Sequence, residues 1–142
     1  MIDAGRPATF GFHLCRGNQL SRWLVAGGYD AIAAPVFRGV HADRLLLEYD
    51  DERSGTFDPL RLVPGGKVVV LGLVTTKTSR VEPLDQIKAR LAQARSVVGA
   101  DRLALSPQCG FATSVAGNAI TAEAQRAKLA LLVRAARDFL PA

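Results

Sequence analysis

Lys67-Val68-Val69-Val70-Leu71-Gly72-Leu73-Val74 is the strongest strand signal in this 142-residue chain, continuous, β-branched and preceded by the breaker Pro64-Gly65-Gly66. A strand so uniformly apolar is one covered on both faces, as in parallel sheets, rather than one with a wet face. Downstream, Glu82 followed by Pro83 opens a helix, because proline suits the first helical position. Leu84, Ile87, Leu91, Ala94 and Val98 recur at spacings of three and four and give that helix one apolar stripe. Residues 101–106 form a further strand ended by Pro107, and Thr121 is the N-cap of a last helix reaching about Phe139, with Ala127, Leu131, Ala135 and Phe139 on one face.

Upstream, residues 44–48 are a buried run ending in the carboxylate of Glu48, followed by a polar loop over 49–55 and a brief helical turn at 58–62. Residues 8–12 read as a short buried strand. Residues 19–26 read as a short apolar helix broken by Gly27-Gly28, and residues 29–37 as more helix, with Pro35 kinking it or marking a new start. Strand and helix thus alternate four times, with connections long enough for right-handed crossovers. The fold class expected is α/β: four βα units with a parallel sheet.

The composition, 49% apolar and 22% charged, is that of a globular domain with a real core. No stretch approaches the ~20 apolar residues of a membrane span. The first seven residues lack an apolar h-region, so a cytoplasmic chain without a secretory leader is expected. The net charge of +5 permits nucleic-acid binding, but Arg and Lys are scattered from Arg6 to Arg137 and the aromatics do not interleave with them. No nucleic-acid partner and no membrane partner is expected.

Chemistry concentrates at strand ends. In Phe12-His13-Leu14-Cys15-Arg16-Gly17-Asn18, His13 and Cys15 lie two apart and share a face, half of a tetrahedral zinc shell. The second strand ends in Glu48, and Cys109 lies just past the end of the fourth. Sites in parallel α/β folds sit at the carboxyl ends of strands. Two thiols, an imidazole and a carboxylate delivered to one edge can complete a zinc site, with Glu48 the most displaceable ligand. Taken singly, each residue has a plainer role: a buried thiol, a core histidine, or a carboxylate paired with Arg44 or Arg53. A disulfide between Cys15 and Cys109 is the metal-free alternative.

His13-Leu14-Cys15, Glu48 after Leu45-Leu46-Leu47, and Ser106-Pro107-Gln108-Cys109-Gly110-Phe111 together resemble the C-terminal half of the cobalamin-independent methionine synthase family, above all its shorter bacterial relatives. The resemblance runs over nearly the whole chain. It implies that residues 1–142 are the last four units of a (β/α)₈ TIM barrel and that His13, Cys15, Glu48 and Cys109 match the family's zinc ligands. It further implies a methyltransferase of methionine biosynthesis, moving a methyl group from a 5-methyltetrahydrofolate-type donor to homocysteine. Alkyl transfer to another small thiol or from another donor, and a non-catalytic zinc-binding half-barrel, are the alternatives. The family's histidine after the third of these strands is absent from Val74-Thr75-Thr76-Lys77. Lys77 can supply a proton there, though the plainer reading is a solvated or phosphate-facing loop lysine. A whole barrel takes ~250 residues, so a homo-oligomer or a complementing N-terminal half is expected to close the open edges.

Overall fold

The structure, a computed structural model, describes residues 8–139; the N-terminal stretch read above for a leader lies outside them. Its four strands are β1 (Gly11–Leu14), β2 (Arg44–Glu48), β3 (Val68–Val74) and β4 (Leu103–Pro107), with helices α1 (Ala33–Gly39), α2 (Leu84–Arg95) and α3 (Ala122–Phe139). Short 3₁₀ turns occupy Glu52–Ser54, Asp58–Leu62 and Ala100–Arg102. The strands lie in the order β1-β2-β3-β4 and every pair is parallel, as the α/β alternation predicts. No described helix is long and apolar enough to cross a membrane.

Register divides the sheet into two faces. Leu45, Val69 and Leu103 lie abreast, as do Leu14, Leu47, Leu71 and Leu105. The fully buried members of this face share one core with Phe37 of α1, Ile87, Leu91 and Ala94 of α2, and Leu132 and Ala135 of α3. His13, Leu46 and Val70 are abreast on the other face, and Glu48, Gly72 and Ser106 form the next layer. That second face carries the site.

Gly72 has a specific task there. A Cβ on it would lie 2.9 Å from Gln108 Cα, 3.1 Å from the Leu47 carbonyl oxygen and 3.3 Å from that of Pro107. Only glycine lets the chain leaving β4 press down onto β3, and the register shifts between Gly72 and Val74 as it does so.

Several local expectations are corrected. β1 begins at Gly11 and is half exposed rather than buried, because it is an edge strand with one neighbour. Residues 19–26 are not helical. Gln19 and Arg22 exchange backbone hydrogen bonds of 2.9 Å each way, and Leu20 and Ser21 between them both have positive φ, a two-residue hairpin turn. Leu20, Trp23, Leu24 and Val25 are consequently left exposed. α1 starts at Ala33, not Tyr29, so Pro35 falls in its first turn, where its missing N–H costs nothing.

On α3 the Thr121 hydroxyl accepts the Ala124 N–H at 3.1 Å, the expected cap. Of the expected stripe, Ala135 is fully buried and Leu131 and Phe139 pack partly buried against the core, while Ala127 is exposed and Ala124, Lys128 and Leu132 are buried beside them. Lys128 buries its whole length, its Nζ donating to Glu82 Oε2 at 2.9 Å and to the Arg80 carbonyl, so the buried face is wider than the apolar stripe alone. Glu82 in turn accepts the Thr75 N–H at 2.9 Å.

Candidate metal centre

Flat strands ~4.8 Å apart would leave β1 and β4 about 14 Å from each other. The segment beyond β4 closes that gap by turning back over β3, the path that Gly72 leaves open. Cys109 Sγ ends 3.5 Å from His13 Nε2. One ligand atom from each of His13, Cys15 and Cys109 lies within 4.8 Å of the others, and both cysteines are free thiols. A tetrahedral ion with bonds of 2.0–2.3 Å needs ligand atoms about 3.3–3.8 Å apart. One imidazole nitrogen and two thiol sulfurs at this spacing fit zinc in both chemistry and size.

The fourth expected ligand, Glu48, is fully buried at the same edge but stands outside that cluster of three. Its Oε2 accepts the Arg16 backbone N–H at 2.6 Å. Its Oε1 faces Lys77 Nζ and Arg53 Nη2, each at 3.4 Å. Burial works to raise the Glu48 pKa, but the Arg16 N–H and then Lys77 outweigh it and hold the carboxyl below its ordinary value. Glu48 therefore enters the layer as an anion already shared between donors. The Arg53 pairing weighed in the sequence reading is present; Arg44 instead lies exposed at the far end of β2.

The thiols sit in the opposite environment. Burial pushes the Cys109 thiol up to about 12; Cys15 beside it and the Glu48 charge push the same way, and Lys77 opposes them. Without a cation the Cys109 thiol is neutral, and a bound metal ion is what would draw off its proton.

The reading of Lys77 as a solvated loop lysine is overturned. It is 7% exposed and bonded to Asp50 at 2.7 Å as well as to Glu48. Glu48 ends β2 and Asp50 lies two residues on, in the loop that follows, so a single cation serves both carboxylates. That pairing was the signal available in the sequence.

Two further residues escaped the sequence reading. Arg16 is buried, its guanidinium 4.2 Å over the Tyr29 ring and bonded to the carbonyls of Gly27 (2.5 Å) and Glu48 (3.2 Å). Tyr29, assigned to a helix from sequence, instead ties β1 to β2. Its hydroxyl donates to the Leu14 carbonyl at 2.9 Å and accepts the Glu48 N–H at 2.8 Å. Burial pushes its pKa up to about 12, with Arg16 opposing, so it remains a neutral donor at working pH. Tyr29→Phe leaves a buried N–H and a carbonyl unpaired, and a loss of about 1–3 kcal/mol is expected in urea unfolding.

The profile described as "Cobalamin-independent synthase, Catalytic domain" matches residues 13–138. The chain belongs to this synthase family. Among its relatives are two uncharacterized Bacillus subtilis (strain 168) proteins. YxjH is 47% identical over 138 residues, 95% of this chain and 37% of that protein. YxjG is 49% identical over 138 residues, 95% of this chain and 36% of that protein. This synthase-family chain thus spans little more than a third of the length of the curated relatives it matches.

Solved structures agree. A candidate vitamin-B12 independent methionine synthase from Listeria monocytogenes superposes with a TM-score of 0.73 at 31% identity, covering 98% of this chain and 37% of that one. A B12-independent methionine synthase from Shewanella sp. W3-18-1, in complex with selenomethionine, superposes at 0.76 and covers 95% of this chain and 39% of that one. At 21% identity the second likeness speaks for the fold alone.

Proposed function

We propose that residues 1–142 form the metal-holding C-terminal half of a (β/α)₈ thiol methyltransferase, with His13, Cys15 and Cys109 as zinc ligands and Glu48 as a fourth, displaceable one. The reaction is transfer of a methyl group from a folate-type donor to homocysteine, giving methionine. The observation that carries this reading is the convergence of three ligand atoms from the ends of β1 and β4 to within 4.8 Å of one another.

Zinc, when bound, supplies the Lewis acidity that keeps a thiol deprotonated near neutral pH. The chain does the rest. Two cysteines make the site electron-rich, which preserves the nucleophilicity of an incoming sulfur. Arg16, Lys77 and Arg53 hold Glu48 through its carboxylate, so the anion has a resting place when it is not on the metal. Lys77 also stands on the segment where the family's histidine is expected. A lysine committed to Asp50 at 2.7 Å favours a donor activated differently, and transfer from another methyl donor or to another small thiol is the second reading. A zinc-holding half-barrel completed by an N-terminal half, or by a second copy, is the third.

The test uses the cobalt-substituted chain, whose visible spectrum reports sulfur ligation. Homocysteine is expected to change it, with millimolar affinity (about −4 kcal/mol), and to release a proton on binding, since a free thiol of pKa ~8.5 is mostly protonated at pH 7. Addition of an N-terminal half in trans is expected to tighten binding. A cobalt spectrum that homocysteine leaves unchanged in both settings means a purely structural metal, and the third reading replaces the first.

A further inference from the structure

The loop carrying Cys109 brings a second side chain to the sulfur. Gln108 is 2% exposed, and its Nε2 donates to Cys109 Sγ at 2.9 Å. Its Oε1 accepts from the Thr76 hydroxyl at 3.1 Å. Thr76, itself fully buried, accepts from Asn18 Nδ2 at 2.8 Å. Three buried polar side chains, from the segments following β1, β3 and β4, thus form one directed relay ending on a thiol.

We propose that Gln108 is a positioning residue that sets the charge on the Cys109 sulfur through its N–H···S hydrogen bond, with Asn18 and Thr76 fixing which end of its amide faces that sulfur. This rests on the reading of Cys109 as a metal ligand. The polarity follows from donor counting. A hydroxyl has one proton; with the Asn18 amide donating to the Thr76 oxygen, that proton goes to Gln108 Oε1. The amide then presents its N–H end to Cys109. The backbone is fixed as well, because the Gln108 N–H donates to the Val74 carbonyl at 2.8 Å.

Packing alone does not account for this glutamine. A leucine or methionine would fill similar space without burying two polar groups that both need partners. A hydrogen bond to a metal-bound sulfur withdraws charge from it. It stabilises the thiolate and makes it a weaker donor, the way groups behind a ligand tune a site.

The experiment compares the unaltered chain with Gln108→Leu and Thr76→Val, reading zinc affinity by chelator competition and the sulfur-to-cobalt charge-transfer band after cobalt loading. Gln108→Leu is expected to lower zinc affinity about 10- to 100-fold and to move the band to longer wavelength, because the sulfur becomes more electron-rich. Thr76→Val, which frees the Gln108 amide to turn, is expected to move both in the same direction by less. If Gln108→Leu does not fold by circular dichroism, Gln108→Glu carries the test. It keeps the size and the acceptor for Thr76 while removing the N–H, and the same band shift is expected. A band unchanged in whichever of these variants folds, with cobalt bound, overturns the inference and leaves the proposed function standing. An unaltered chain that takes up no cobalt overturns both.

Discussion

Replacing Cys15 and Cys109 together by serine is expected to lower zinc affinity by at least about three orders of magnitude, roughly 4 kcal/mol. The structure leaves one imidazole where three ligand atoms had met, and a serine hydroxyl is a poor substitute for a thiolate. Metal analysis after dialysis against a graded chelator measures this, and a double variant that retains full zinc rules out the ligand assignment. Affinity should also depend on pH. The Cys109 thiol, raised to about 12 by burial and by Cys15, is protonated across the working range, so binding must expel its proton. Each proton expelled makes affinity rise about tenfold per pH unit, and affinity therefore increases from pH 6 to 8. Glu48→Gln is expected to weaken binding far less. It should instead cost stability, because the buried Lys77 and the half-buried Arg53 both lose an anion they face.

Lys128→Ala is expected to destabilise the fold by about 3–5 kcal/mol, the usual result of removing one partner of a buried ion pair. Lys128 is fully buried, and its ammonium meets Glu82 at 2.9 Å. Without it, the Glu82 carboxylate stays buried with the Thr75 N–H at 2.9 Å as its remaining partner among the described residues. The loss falls on the joint between α3 and the segment leaving β3, which also carries Thr76 and Lys77. Urea unfolding measures the effect, and the double variant Lys128→Met/Glu82→Gln should recover a substantial part of it because no uncompensated charge remains. A single variant within 1 kcal/mol of the unaltered chain would show that solvent reaches the pair.

The elements legible in the sequence are those set by local pattern. The apolar run ending at Val74 could only be a covered strand, and the stripe Ile87, Leu91, Ala94 and Val98 is buried as its spacing requires. Proline before α2 and threonine before α3 marked helix starts because capping is decided within a few residues. The stretch around Leu20 and Ser21 failed for the complementary reason. Its composition suits a helix, and two positive φ values at residues that rarely adopt them are imposed by the surroundings. The burial of Lys128 is a tertiary matter too, since the carboxylate that receives its ammonium, Glu82, lies 46 residues away in sequence.

For the site, the sequence by itself determined the donor types and the strand ends that present them. His13 and Cys15 share a face because strand residues alternate, and Glu48 ends its strand because the apolar run stops there. Whether these groups meet was a tertiary matter. Cys109 reaches His13, 96 residues away in sequence, because the segment after β4 folds back over the strand whose Gly72 has no side chain to stop it. Glu48 turns to Arg16, Lys77 and Arg53 because an anion buried in that layer settles on the nearest donors, and their positions depend on three separate loops. Periodicity acts over two to four residues and so reaches the first set of facts; the second depends on distances between segments that only the folded chain brings together.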